Sequence, residues 1–440
     1  MKNFKNYKNA VPLLLVMLMA LSIYSLVDTV KTQKTKYLQY LEEAREYAGF
    51  ELVEDAVASY HKALEIDKDL EVSLEVGALY VKSELDDDAV SWGEDMVDTF
   101  EQKPEAYEFL LQQYYRIGDY EACFSLNDKA IKRETVNDGF GKLIQSMQYA
   151  YNIEFSTYKD VSIFSGEHCA VYKNDRWGYV NLTGTMVIEN RFLEGGEFVG
   201  NLAAVQDEDG DRYYITTNGN KKLAVKNLSK CEYLGPIIDD TLVAYDGKSY
   251  GYYDADFVKK IDKTYTYASS MNNGIAAIQN EDGIWSFINS TGDVITSKNY
   301  NAIAMDERKV VFHNERAFAQ RDGIYYMLDI NGKELPKVQF EDAKTFLPDS
   351  LYAAVKAGGK WGFVDKDGKM KITPQYDDAR SFSNGIAAVK VNGLWGFIDT
   401  SGKMVIETQF DDARDCNSKG CLFVKTLDEW RLLKLYKDNH

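Results

Sequence analysis

Two pairs of neighbouring carboxylates are the first residues of this sequence that could do chemistry. Asp377-Asp378 and Asp411-Asp412 each follow an aromatic residue, and a carboxylate pair can supply the acid and the base of glycoside hydrolysis. Both pairs, however, stand at the same place in a repeated phrase, YDDAR and FDDAR. Because recurrence at one repeat position is typical of a turn or cap, we interpret these residues as structural and predict no catalytic residue.

The other groups that could bind a metal ion lack the spacing that such sites need. The segment QDEDGDRY, Gln206 to Tyr213, clusters four acids, but it lacks the twelve-residue loop with a terminal Glu that is typical of calcium sites. The four His residues are scattered through the chain, and no serine-hydrolase, zinc-protease or phosphate-loop motif is present. We therefore predict neither a metal nor a cofactor.

The five Cys residues predict packing or a disulfide rather than a metal site. Their odd number and the absence of a Cys-x-x-Cys pair do not fit zinc. Cys416 and Cys421 could form a disulfide across a turn in an oxidising compartment. We favour Cys169 and Cys421 as small core residues, because both lie in apolar runs.

Composition and charge bound the class of protein. A chain of 440 residues exceeds one ordinary core, so we expect two or more domains, and 31 Tyr with 21 Phe favour β structure. The net charge of −18 argues against a nucleic-acid partner. Residues 36–150 carry a net charge of −15. We interpret this excess as a solvated helix surface, with a face for a basic partner as the alternative.

An uncharged apolar run, Val11 to Val27, follows Lys2, Lys5 and Lys8 near the N terminus. A helix of that length just crosses a bilayer core of about 30 Å, and the lysines place the N terminus in the cytoplasm. We therefore predict that residues 1–35 form an uncleaved signal anchor, with a single-pass transmembrane helix over 11–27 and the following domains outside the cell membrane. The alternative is a cleaved signal peptide and a secreted protein.

Residues 36–150 have helical periodicity, and small residues recur in them at one constant interval, at Ala56, Ala89 and Ala122. Small residues at such intervals let antiparallel helices pack closely. The stretch resembles tetratricopeptide repeats. The matching positions are Ala44, Tyr47, Ala56, Tyr60 and Ala63, then Val76, Gly77, Tyr80 and Ala89, then Gly118, Asp119, Tyr120 and Ala122. The resemblance implies a concave groove that binds peptides or proteins, although three repeats also suit a spacer.

The segment 151–440 repeats one phrase eight times. An aromatic residue begins each phrase, and these residues follow one another at a nearly constant interval: Trp177, Tyr213, Tyr250, Trp285, Tyr325, Trp361, Trp395 and Trp430. In five phrases a Gly and then a second aromatic follow at fixed distances, as in Trp361, Gly368 and Tyr376. A fixed period of this length predicts a repeat architecture.

Each phrase predicts a small antiparallel sheet. Asn392-Gly393 is a strong hairpin signal between two apolar runs. Strands that are apolar on both faces need sheets on both sides, which the blades of a β-propeller supply. We predict an eight-bladed β-propeller in which residues 151–156 supply the missing last strand of the final blade. An open β solenoid is the alternative.

The phrase resembles the WG (KWG-type) repeat family of bacterial proteins. Trp177-Gly178, Trp361-Gly362 and Trp395-Gly396 carry the dipeptide, and three other phrases carry variants of it. We interpret the repeat signature as structural: Trp177, Gly178, Tyr250, Gly251, Trp285, Tyr325, Trp361, Gly362, Trp395, Gly396 and Trp430. The family is defined by its repeats, so the resemblance implies a binding scaffold without identifying a ligand.

Together these features predict an α+β multidomain protein, with helical repeats in 36–150 and a WG-repeat β domain in 151–440. The expected function is that of a membrane-anchored, non-catalytic binding or scaffold protein for a protein or cell-envelope partner. A propeller-type hydrolase of envelope glycans or peptides is the alternative, and it needs an acid pair in the central channel beside a pocket. The repeats show no irregular blade rich in His, Asp or Glu, which argues against this alternative.

Overall fold

The computed structural model describes residues 7–224, 228–348 and 350–437. The chain divides between Gln148 and Tyr149 into a helical unit and a β unit, the latter Tyr149–Leu435. In its described part the helical unit has seven helices: α1 (Tyr7–Gly49), α2 (Val53–Leu64), α3 (Leu70–Lys82), α4 (Asp86–Thr99), α5 (Pro104–Ile117), α6 (Tyr120–Lys132) and α7 (Asp138–Ser146).

Small buried residues hold the helices of this unit together as successive antiparallel pairs, consistent with helical repeats. Ala56 and Ala89 have no exposed surface, so the helices that carry them can approach closely. In the third pair the fully buried residue is Cys123, whereas Ala122 is half-buried. The expected small residue therefore lies one position later than the constant interval indicated.

The predicted transmembrane helix is not supported. Val11 to Val27 lies within α1, which continues without a break to Gly49, and the side chains of residues 11–15 and 20 lie outside the described ones. None of the helices in the described residues is long and apolar enough to span a membrane.

The β unit is an eight-bladed propeller, which confirms the predicted fold. The described strands form eight antiparallel sheets, seven with four strands and one with three. We number the blades in chain order and describe the strands of each blade by their position, from the short first strand to the fourth.

The bounds of the strands follow the repeat. The first strands are β2 (Asp160–Val161), β6 (Glu194–Gly195), β10 (Tyr233–Leu234), β14 (Tyr267–Ala268), β17 (Ala302–Ile303), β21 (Asp342–Ala343), β25 (Asp378–Ala379) and β29 (Asp412–Ala413). The second strands are β3 (Cys169–Lys173), β7 (Leu202–Gln206), β11 (Leu242–Tyr245), β15 (Ile275–Gln279), β18 (Arg316–Arg321), β22 (Ala353–Ala357), β26 (Ile386–Val391) and β30 (Cys421–Thr426). The third strands are β4 (Arg176–Val180), β8 (Arg212–Thr216), β12 (Tyr250–Tyr253), β16 (Trp285–Asn289), β19 (Ile324–Asp329), β23 (Lys360–Val364), β27 (Leu394–Asp399) and β31 (Glu429–Leu435). The fourth strands are β5 (Met186–Phe192), β9 (Lys221–Ala224), β13 (Lys259–Tyr265), β20 (Glu334–Phe340), β24 (Met370–Tyr376), β28 (Met404–Phe410) and, for blade 8, β1 (Tyr151–Tyr158).

The register of the third and fourth strands explains the spacing of the repeated phrase. In blade 6, Trp361 lies opposite Tyr376, and the intervening Gly368 has a φ of 77°, a conformation that favours glycine. In blade 7, Trp395 lies opposite Phe410 in the same way. The repeated aromatic residues are therefore cross-strand partners, which is the contact that stabilises such a strand pair.

The glycine of the Trp-Gly dipeptide is required by a close backbone approach. A Cβ atom at Gly362 would lie 2.6 Å from the carbonyl oxygen of Ile372 on the fourth strand, and Gly396 is placed in the same way against Ile406. Blade 4 has Ser286 at this position, and its fourth side makes only isolated bridges in the described residues. The glycine of the Trp-Gly dipeptide thus allows the backbone of the fourth strand to approach the third strand closely.

The ring closes through the pairing of β1 with β31, which excludes the open solenoid. Tyr151 lies opposite Leu435, Ile153 opposite Leu433, and Tyr158 opposite Trp430. Tyr158 thus takes the place in blade 8 that the second aromatic takes in the other phrases. The predicted closing strand is observed and extends to Tyr158.

Candidate binding cavity in the central channel

The carboxylate pairs singled out in the sequence hold strand ends. Asp377 accepts hydrogen bonds from Lys360 Nζ at 2.6 Å and from the backbone N–H of Asn392 at 2.8 Å, and these bonds lower its pKa. The Asp378 carboxylate accepts the N–H of Ala379 at 2.8 Å. Asp412 makes the same bond to the residue that follows it. Each pair thus binds residues of its own blade and of the preceding blade.

The signature aromatics lie in the packing between strands and blades. Trp361, Trp395 and Trp430 are buried, and the aromatics at the same position in the other five blades are half-buried. The Lys344 ammonium lies 4.8 Å from the ring centre of Trp361, a favourable cation–π distance. Arg414 lies at the same distance from Trp430.

The remaining sequence candidates are structural in the folded chain. All five Cys residues are buried and none of them forms a disulfide, so the disulfide considered between Cys416 and Cys421 is absent. Gln206 to Tyr213 forms the turn between β7 and β8, where the Asp207 carboxylate accepts the N–H of Asp211 at 2.8 Å. Within the described ranges no three His, Cys, Asp or Glu side chains are grouped in a way that could hold a metal ion.

Blade 5 carries an insertion that the sequence interpretation missed. Residues 304–315 join β17 to β18, whereas residues 380–385 make the same connection in blade 7. We call residues 304–315 the channel segment. It contains Asp306, Glu307 and His313, so the expectation that no blade is irregular and rich in such residues is wrong. The signal was the interval between Trp285 and Tyr325, which is the longest of the series.

Two adjacent charged residues connect the channel segment to four other blades. Arg308 Nε donates to Glu197 of blade 2 at 2.8 Å, and Arg308 Nη2 donates to the hydroxyl of Ser165 of blade 1 at 3.2 Å. The Glu307 carboxylate lies 3.0 Å from Arg414 of blade 8 and 3.6 Å from Arg380 of blade 7. Because these partners come from opposite parts of the ring, the segment crosses the central channel.

Further contacts extend the segment to the remaining three blades. The N–H of Ser270, in blade 4, donates to the carbonyl of Lys309 at 2.9 Å. The Lys309 ammonium lies 3.6 Å from the ring centre of Tyr233 in blade 3, and burial lowers its pKa. The hydroxyl of Thr345, in blade 6, donates to the carbonyl of Val311 at 3.2 Å. One segment therefore contacts all seven other blades.

Asp306 stabilises the conformation of the channel segment. One carboxylate oxygen lies 2.9 Å from His313 Nε2, and the other accepts the N–H of Val310 at 2.8 Å. Asp306 and His313 are both largely excluded from solvent. The two ends of the segment are thereby tied together, which positions Glu307 and Arg308 in the channel.

A cavity of about 400 Å³ lies beside the segment in the channel, within the size range of small-molecule sites. Its lining comes from blades 1, 5, 6, 7 and 8: Ile163, Ile303, Ala304, Met305, Asp306, Glu307, Ala343, Lys344, Thr345, Leu347, Arg380, Ser381 and Asp415. The wall thus combines an apolar part with charges of both signs. It is the candidate ligand-binding cavity of the channel.

The architecture is that of an eight-bladed β-propeller in a chain that also has a helical unit. The family model of the WG containing repeat matches the chain at residues 177–210, 250–283, 361–395 and 395–430. The β unit therefore contains WG repeats, as the resemblance of the phrases indicated.

Two solved structures are similar to parts of the chain. The crystal structure of BamB from Moraxella catarrhalis aligns with 65% of this chain and 99% of its own, at 10% identity and a TM-score of 0.43. The crystal structure of MamA protein aligns with 26% of this chain and 64% of its own, at 24% identity and a TM-score of 0.21. Comparison with curated proteins gives no match.

Proposed function

We propose that this protein is a non-catalytic binding and scaffold protein for a protein or cell-envelope partner. The observation that carries the proposal is that charged residues in the channel form ion pairs with one another. Glu197 is paired with Arg308, Glu307 with Arg414, and Asp306 with His313. These groups stabilise a fixed central segment, whereas a repeat architecture offers its large outer surfaces and loops to partners.

The helical unit supplies the surface that best fits a protein partner. Its acids outnumber its bases, and several of them, such as Asp87 and Asp95, are exposed and form no ion pair with a described residue. An acidic surface favours encounter with a partner segment rich in Lys or Arg and disfavours acidic partners. We therefore infer a basic segment on the partner.

The test is capture of the partner by the full chain after crosslinking in intact cells. The variant Asp87→Lys/Asp95→Lys reverses two exposed charges of the helical unit, and we expect at least about a fivefold loss of captured partner. Asp428→Lys, at an exposed turn of blade 8, is the matched control and should capture as the wild type does. Equal capture by all three proteins would refute a role of the acidic surface in binding the partner. The absence of any reproducible partner would favour a spacer.

We also propose that both folded units lie outside the cytoplasmic membrane. The proposal rests on the N-terminal sequence, where Lys2, Lys5 and Lys8 precede an apolar run. Protease added to intact cells should degrade the propeller, as followed by antibody. Protection until the cells are lysed would place the units in the cytoplasm.

A hydrolase is the second candidate, because three acids line the same cavity in the channel and two of them, Glu307 and Asp415, are on different blades. Glu307 and Asp415 both contribute to its wall. Burial raises the pKa of Asp415, with the nearby Arg380 opposing the rise, and a raised pKa suits a general acid. Release of product from envelope glycans or peptides by the wild type, abolished in Asp415→Asn, would establish this candidate. No turnover by the wild type would exclude it.

A further inference from the structure

Two opposite charges in the channel cavity lack a hydrogen-bonding partner. The Arg380 side chain is 21% exposed, its buried Nε has no hydrogen-bond partner among the described residues, and its other two nitrogens lie only at ion-pair distance from carboxylates. Its nearest carboxylates, Glu307 and Asp412, lie 3.6 and 3.9 Å away. Buried charges are normally paired and hydrogen-bonded, so this arrangement is unusual for a residue that only stabilises the fold.

Asp415, on the neighbouring blade, also lacks a hydrogen-bonding partner. It lines the cavity, and its carboxylate forms no hydrogen bond or ion pair with the described residues. Arg380 is close enough to act on its charge, yet the two do not form a direct ion pair. The cavity therefore presents a cation and an anion side by side with their hydrogen-bonding capacity unused.

The other charges of the cavity are already engaged. Lys344 Nζ donates to Asp378 at 2.8 Å, and Glu307 is paired with Arg414 at 3.0 Å. The apolar part of the wall comes from Ile163, Ile303, Met305 and Leu347. A ligand that fits this wall carries one carboxylate, one cationic donor and an apolar group.

We propose that the channel cavity binds a zwitterionic α-amino acid with an apolar side chain. The ligand carboxylate accepts hydrogen bonds from the Arg380 guanidinium, whose planar fork matches a carboxylate. The ligand ammonium donates to the Asp415 carboxylate, and the side chain lies against Ile303 and Met305. This activity goes beyond the binding of a macromolecular partner and does not depend on it.

The first experiment is titration calorimetry of the full chain with both enantiomers of leucine, methionine, isoleucine, valine and phenylalanine. We expect at least one of them to bind saturably, with a Kd below about 1 mM. The N-acetyl derivative and the amide of that amino acid, which lack the ammonium and the carboxylate charge, should each bind at least about tenfold more weakly. No binding up to about 10 mM, or equal affinity for the derivatives, would overturn the proposal.

Two variants test the assigned residues. Arg380→Gln and Asp415→Asn should each weaken binding at least about tenfold, whereas Arg176→Gln and Asp428→Asn, on other parts of the β unit, should bind as the wild type does. Wild-type affinity in either cavity variant would contradict the assignment. If a cavity variant fails to fold, the derivative series on the wild type still decides. Partner capture by Arg380→Gln should be unchanged, so a failure here is distinct from a failure of the proposed function.

Discussion

Blades 7 and 5 have the same four strands but differ in the connection from the first strand to the second. Blade 7 makes this connection with a short turn over 380–385, and Trp395 lies opposite Phe410. In blade 5 the channel segment crosses the channel, yet Tyr325 still lies opposite Phe340. An insertion at this connection therefore leaves the outer strand register intact, because the aromatic pair sets that register independently.

The comparison separates two kinds of information in the repeats. Residues that recur, such as Trp395 and Gly396, define the blade. Residues that depart from the repeat, such as Glu307 and Arg308, build the channel and its cavity. The recurring residues thus define the blades, and the segment that departs from the repeat forms part of the cavity wall.

The largest loss of stability should come from removing the closing strand of blade 8. Deleting residues 151–157 removes the ladder between β1 and β31 and the packing of Tyr151 and Ile153. We expect the free energy of unfolding of the β unit to fall by more than about 4 kcal/mol, since several hydrogen bonds of about 1 kcal/mol each are lost together with apolar burial. Urea denaturation followed by tryptophan fluorescence measures the loss. An unchanged transition would mean that the ring does not need this strand.

A smaller loss of stability should distinguish a blade that has the Trp-Gly dipeptide from blade 4, which lacks it. In Gly396→Ala the new Cβ would lie 2.6 Å from the carbonyl oxygen of Ile406. Because the obstacle is backbone, we expect a loss of about 2–3 kcal/mol in the free energy of unfolding. Ser286→Ala in blade 4 is the matched control and should change stability by less than about 0.5 kcal/mol. Similar losses in both variants would remove the explanation given for the Trp-Gly dipeptide.

The channel segment should make stability depend on pH through Glu197. Burial raises the pKa of this carboxyl to about 7, although Arg308 opposes the rise. The folded state therefore holds a proton that the unfolded state releases from about pH 4.5 upward, and this group makes the β unit less stable as the pH rises from about 4.5 to 7. In Glu197→Gln we expect the fall in stability between pH 5 and pH 8 to shrink by about 1–2 kcal/mol.

Urea midpoints at the two pH values test this prediction. The control Glu208→Gln changes an exposed carboxylate in the turn of the same blade, and it should keep the wild-type slope. If the stability of Glu197→Gln depends on pH as that of the wild type does, the carboxylate paired with Arg308 is not the titrating group.

The smallest effect concerns the turn between the second and third strands. Blade 7 has Asn392-Gly393 there, and blade 8 has Leu427-Asp428, all four residues with positive φ. Leu427 is 90% exposed and has a φ of 52°, a conformation that Leu disfavours. Leu427→Asn should raise the free energy of unfolding by about 0.5–1 kcal/mol. Leu427→Ala, which keeps the unfavourable conformation, should give little gain; if both variants gain equally, the backbone explanation fails.

The sequence predicted the blades well because their spacing reflects strand geometry directly. The distance from Trp361 through Gly368 to Tyr376 is the length of a hairpin, and the phrase that lacked a last strand pointed to residues 151–156. The cavity could not be predicted in the same way. Arg380 and Asp415 stand in ordinary turns of the repeat, and only the closed ring brings them together beside the channel segment. The path of that segment depends on contacts with all the other blades. Its sequence alone therefore indicates an insertion, but it does not indicate that the insertion crosses the channel.

The pairing of β1 with β31 also constrains when the propeller can form. The two strands flank the whole β unit, so blade 8 is completed by residues made first and last in that unit. Until β31 arrives, β1 and the growing edge of the ring expose unpaired backbone groups that can recruit other strands. Contacts between such distant parts of a chain form slowly. The nascent protein therefore passes through an interval in which it is vulnerable to proteases and aggregation, and that interval ends only with the synthesis of its last blade.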